Sequence, residues 1–148
     1  MDKLIIKNTC LKIVLNKLQD LQSAINEAQM AANNETKSTA GDKHDTAKAH
    51  AQNETERLGM QMAQFLSMQQ GLMRLPLEDH EKIQVGSYVE SNRGNFYISA
   101  ALGKVKTEQN EFFAISLNAP VGQLLFQKAK GEHIMLPNGE ICVIVNVF

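Results

Sequence analysis

From Leu4 onward the apolar positions of this chain recur every seven residues. Leu4, Leu11, Leu18, Ile25 and Ala32 form one series, and Val14, Leu21 and Ala28 form a companion offset by three. An a/d pattern held over several heptads predicts a helix with a coiled-coil seam. Lys7 is the one charged residue that intrudes, and no Gly or Pro breaks the run from Asp2 to Asn34. A second seam reads Ala51, Leu58, Phe65 and Leu72, with Thr55 and Met62 beside it. Gly59 weakens that helix by up to about 1 kcal/mol without ending it. Pro76 ends it, because the residue before a proline avoids helical geometry. Folded antiparallel, the seams bring Leu4 near Leu72, Leu18 near Leu58 and Ile25 near Ala51. The stretch ETKSTAG, 35–41, supplies turn chemistry at the fold point. Each helix is expected to run about 30 residues, or about 45 Å. The seam passes from Leu, Val, Ile and Phe at its base to Ala and polar residues at its tip, so the hairpin thins toward its far end.

Beyond Pro76 the period falls to two. SYVES, the turn residues NRG, FYISAAL and EFFAISL read as strands and a turn. PVGQLLFQKA reads as a short helix, and HIML-PNGE-ICVIVNVF as a hairpin closed by Asn-Gly. The order β-β-β-α-β-β predicts an α+β protein: a helical hairpin over 1–75, then a mostly antiparallel sheet with one helix over 76–148. The polar LPLEDHEKI is the connection.

Composition narrows the function classes. A net charge of −1 over 148 residues argues against a generally basic nucleic-acid binder. Cys10 and Cys142 lie far apart in apolar segments and read as two reduced core thiols of a cytoplasmic protein. LIIKNTCLKIVL is interrupted by Lys7 and Lys12 and has no small-residue cleavage site after it, so neither a signal peptide nor a membrane span is expected.

The candidate chemistry sits at the thin end of the hairpin, in GDKHDTAKAHA, Gly41 to Ala51. Asp42 and Asp45 are spaced as D-x-x-D at the start of the second helix. In one reading they cap that helix and favour its dipole. In the other they are hard oxygen ligands for a divalent cation. Mg²⁺ is often held by one or two protein carboxylates plus phosphates and waters. Two acids on an exposed tip need another macromolecule to complete the site, and a long thin hairpin suits a probe that reaches one.

The tip resembles that of the Gre-type transcript-cleavage factors of bacterial RNA polymerase, roughly G-D-x-x-E-N-A-x-Y-H-A. A second match is independent of it: ISLNAPVGQLLFQKAKGEHIMLPNGEICVIVNV is similar to the family's I-S-x-x-S-P-x-x-x-x-L-x-G-K-x-x-G-D-x-V-x-x-x-x-P-x-G-E pattern. The resemblance spans nearly the whole chain and implies an FKBP-like fold for its second half. It implies docking of that half at the rim of the polymerase secondary channel, with Ser116, Pro120 and Gly122 in the docking region. It further implies that the tip enters the channel, where Asp42 and Asp45 help hold a Mg²⁺ shared with the polymerase as it hydrolyses a backtracked transcript. The chain would then be no enzyme itself, with the polymerase as partner, nascent RNA as an indirect one, and neither membrane nor small-molecule substrate. Asp45 stands where the family has Glu, one methylene shorter, and Thr46 and Ala49 replace its Asn and Tyr. Those departures bear on cleavage more than on binding.

Other residues carry less. Lys37, Lys43 and Lys48 surround the tip and suit either RNA phosphates or plain solvation. His44, His50, His80 and His133 show no metal-ligand spacing, although His50 matches the family's tip histidine. Met60, Met62, Met68 and Met73 read as soft packing at the hairpin base. Ser116 has no triad partners. Too few aromatics are left over from the core for a prolyl-isomerase pocket. Three functions stay open: a cleavage-stimulating factor, a channel-occupying regulator that does not cleave, and a coiled-coil adaptor whose tip acids only cap a helix.

Overall fold

A computed structural model describes the backbone of residues 1–36 and 41–148, and the side chains of all these except 35, 36, 41–45 and 47. The elements are α1 (Lys3–Thr36), α2 (Gly41–Met73), β1 (Tyr88–Ser91), β2 (Phe96–Ile98), β3 (Gly103–Lys106), β4 (Glu111–Ile115), α3 (Pro120–Leu125), β5 (His133–Met135) and β6 (Ile141–Val147). The chain forms two compact units. One is Ile13–Gln69; the other joins Met1–Lys12 to Gln70–Phe148.

The first unit is the helical arm. Val14, Leu18, Leu21 and Leu58 are buried in it, and Ile25, Ala28, Ala32, Ala51, Thr55, Met62 and Phe65 are half-buried. The seams thus face inward as their heptads predict. The helices run antiparallel: the Lys17 ammonium lies 5.9 Å from the centre of the Phe65 ring, while Gln29, Ala32 and Asn33 share a depression with Gln52, Thr55 and Glu56. Lys17 against Phe65 sets the pairing further along α2 than the expected Leu18–Leu58 match. Heptads define the buried face but leave the axial slide of one helix on the other open, since sliding by a heptad lays seam on seam again. Met60 is exposed rather than packed, at 70%.

The second unit is a six-stranded sheet in the order β3-β4-β2-β1-β6-β5. Its neighbours pair antiparallel except β2 with β4, which are parallel. The α+β architecture expected from the pattern is therefore present, with one more strand than expected. That strand is β3, GKVK, whose single buried side chain is Val105. One apolar residue leaves no period to read. The strand is held instead by pairing with β4 and by ion pairs from Lys104 and Lys106 to Glu111, at 2.7 and 3.5 Å. The turn behind it is closed by the Thr107 hydroxyl, which accepts the Asn110 N–H at 2.9 Å. The short helix α3 stops at Leu125, before the expected FQKA. The reason is tertiary: Ile83 N–H donates to Lys128 O (2.9 Å) and Gln127 N–H donates to Ile83 O (2.8 Å), which draws 127–128 out of helical geometry.

One face of the sheet carries Val89, Phe96, Ile98, Ile134, Cys142 and Ile144, packed with Leu125 of α3 and with Ile83 from the segment before β1. Alternation sends Tyr88, Tyr97 and Phe112 to the other face, where the Phe112 ring meets both tyrosines edge-on at 5.6 and 5.9 Å. The root of α1 belongs to this unit. Its buried residues are Lys3, Ile6 and Cys10, whereas Leu4, expected in the seam, is 49% exposed. Met73, at the root of α2, is also exposed. Both cysteines are buried and free. Among the described residues, no helix is long and apolar enough to cross a membrane.

Candidate functional site

At the far end of the arm, α2 begins at Gly41, so the backbone of Asp42 and Asp45 lies at its start, three residues apart on one helical face. Lys37 lies outside the described residues, as do the side chains of Asp42, Lys43 and Asp45. Lys48 is half-buried and His50 exposed one turn further on. Among the described residues no three His, Cys, Asp or Glu side chains are grouped to hold a metal. In donor chemistry the acid pair suits Mg²⁺, as two hard carboxylates, but it supplies too few ligands to close a site alone.

On the sheet unit, Ser116, Pro120 and Gly122 come together where β4 leads into α3. Ser116 Oγ accepts the Asn118 N–H at 3.2 Å and Ser116 O accepts the Ala119 N–H at 3.0 Å. Pro120 opens α3, where its missing N–H costs nothing. Gly122 is buried, and a Cβ there would strike Ser116 O and lie 2.8 Å from Leu117 O. Its hydrogen side chain is what lets α3 settle on that turn.

Beside these residues lies an apolar groove of about 450 Å³, which sequence reasoning missed. Phe96, Phe113, Ile115, Val121 and Leu136 line it. Phe113 is 41% exposed and tilts against Phe96 with ring centres 6.1 Å apart. At the rim, Arg93 is held by Glu140 (3.6 Å) and by Ile141 O (3.3 Å). The sequence did carry one signal for this groove. Two consecutive phenylalanines in a strand must point to opposite faces, so Phe112 and Phe113 cannot share one core.

A third cluster gathers at the roots of α1 and α2. The intruding Lys7 donates from Nζ to Met73 O (2.9 Å) and Leu75 O (3.0 Å), and the buried Lys3 donates to Glu78 O (2.5 Å). Burial lowers the pKa of Lys3, against the opposing pull of Asp79 and Glu78. His80 Nδ1 lies 2.8 Å from the Ser87 hydroxyl. Its pKa is lowered by burial and then by the Lys3 charge, while Glu78 and Asp79 act the other way.

No family model matches this chain, and no curated protein matches it. Three solved structures to which it is similar are factors of one kind. The GreA factor homolog 1 (Gfh1) protein of Thermus thermophilus is 18% identical over 95% of each chain, with a TM-score of 0.39. A second structure of the transcription factor Gfh1 is 18% identical over 94% of this chain and 93% of its own, at 0.38. Thermus aquaticus Gfh1 is 19% identical over 95% and 94%, at 0.36. With TM-scores and identities this low, the likeness bears on neither the site nor the function.

Proposed function

We propose that this chain is a Gre-like transcription factor of the cytoplasm. In this reading it docks on bacterial RNA polymerase through its sheet unit, passes the tip of its arm into the secondary channel and stimulates cleavage of backtracked transcripts. The observation that carries the reading is the placement of GDKHD at the start of α2, at the far end of two antiparallel helices of 34 and 33 residues. An arm with so much wetted surface is a poor core but a good probe.

Asp42 and Asp45 would hold a Mg²⁺ jointly with the polymerase; such an ion, when bound, supplies an activated water and steadies developing charge. The chain's own part is to present two carboxylates at i, i+3 at the start of α2, with Lys37, Lys43 and Lys48 close in sequence to offset their charge or meet RNA phosphates. The groove beside Ser116, Pro120 and Gly122 is the docking surface, with Phe113 its exposed aromatic anchor.

The test uses halted, backtracked elongation complexes of the host polymerase, Mg²⁺ and end-labelled RNA. The wild type should shorten the transcript. Asp42→Asn/Asp45→Asn should lower the rate by about 10²-fold or more while polymerase binding persists. Phe113→Asp should lose binding and cleavage together. A second reading is favoured by Asp45 in place of Glu and by Thr46 and Ala49: a regulator that occupies the channel without cleaving. Polymerase binding with no shortening by the wild type would sink the cleavage reading and leave that regulator.

A further inference from the structure

The last turn of α2 contains no basic residue. The end of a helix leaves carbonyls without intrahelical partners and carries partial negative charge, which a nearby cation relieves. Here the cations come from the other helix. The Arg74 and Leu75 N–H groups take the Gln70, Gly71 and Leu72 carbonyls, and Lys7 Nζ takes the last one, Met73 O, together with Leu75 O just beyond it, while Lys3 Nζ takes Glu78 O further along. An ammonium has three donors and no acceptor, so a single lysine can gather two carbonyls that point the same way. Lys3 is only 6% exposed, a costly place for a charge, and Lys7 occupies a seam position where an apolar residue would otherwise pack. The same stretch is held at its other end. Pro76 packs so closely on Gly86 that a Cβ at Gly86 would come within 2.8 Å of the proline ring. The Ser87 hydroxyl accepts the Gln84 N–H at 2.9 Å and meets His80 Nδ1.

We propose that Lys3 and Lys7 are positioning residues: a two-ammonium clamp, lent by α1, in which Lys7 caps the last carbonyl of α2 and Lys3 holds Glu78 beyond it, so that together they fix the course of residues 73–78 on the sheet unit. The apparent flaw in the first heptad is the clamp itself.

The experiment is amide hydrogen exchange on the free full-length protein, compared for Lys7→Met, Lys3→Met, the double variant and Lys7→Arg. Exchange at Arg74 and Leu75, whose N–H groups bond back to the last turn of α2, should quicken at least tenfold in the methionine variants. Exchange at Ile98 and Phe113 in the sheet should hold its wild-type rate, and Lys7→Arg, which keeps the charge and donors, should restore the junction. Unchanged rates at Arg74 and Leu75, or equal acceleration in junction and sheet, would overturn the proposal. If the double variant does not fold, Lys7→Met and Lys7→Arg decide it. No polymerase is needed, so this result stands apart from the cleavage assay.

Discussion

Tyr97 shows how little of a residue's situation its type reveals. Its ring is fully buried between β-strand neighbours and Phe112, yet among the described residues its hydroxyl has no hydrogen-bond partner. Burial, and then the nearby Cys10, push its pKa up. A buried hydroxyl left unpaired costs about 1–3 kcal/mol, while the edge-on ring contact does not need it. Tyr97→Phe should therefore stabilise the protein by about 1–2 kcal/mol, read as a higher urea midpoint at an unchanged slope. A lower midpoint would mean that the hydroxyl is satisfied in solution. Cys10 belongs to the same packed layer: burial pushes its thiol up to about 12, so at neutral pH it stays protonated and serves as a packing group. Nothing in one residue's identity announces such pairings. Lys7 illustrates the converse, since as a sequence letter it reads as a flaw in a heptad and its three-dimensional neighbours turn it into a cap.

Among the elements, α1 and α2 were the most legible. Their heptads identify the inward face of the arm over most of its length, and Val14, Leu18, Leu21 and Leu58 are buried as that pattern requires. At the root the pattern misleads, because there α1 belongs to the sheet unit and buries Lys3, Ile6 and Cys10 instead of Leu4. The short elements were the least legible. β3 has too few apolar residues to show a period, and α3 ends where Gln127 and Lys128 pair with Ile83. The resemblance placed Gly122 in a docking region, and the structure adds a packing reason for glycine there. Gly122→Ala should destabilise the sheet unit by about 1–3 kcal/mol, because the new methyl meets main-chain oxygens that cannot swing away. Thermal unfolding would show it, and an unchanged midpoint would mean that α3 shifts freely off the 116–117 turn.

For the whole molecule, the proposed function divides binding from chemistry: the groove at Phe113 binds, the tip at Asp42 and Asp45 acts. A tip variant should then be a competitor rather than a bystander. Asp42→Asn/Asp45→Asn, added in about tenfold excess over the wild type at equal affinity, should cut wild-type transcript cleavage by about tenfold, as mass action requires. The same excess of Phe113→Asp should leave it alone. Suppression by both or by neither would break the division of labour. At this scale the sequence by itself determined the class of fold and the place of the acid pair, because hydrophobic period and turn chemistry are local and repeat often enough to be read. It also determined which motifs the chain resembles. Only the tertiary structure decided the axial pairing of the two helices, the extra edge strand, the groove at Phe113 and the lysine clamp. The helix pairing, the groove and the clamp join residues far apart in the chain, whose contacts form only when the backbone has brought them together, while β3 makes a local hairpin with β4 but has one buried side chain and so no period to read.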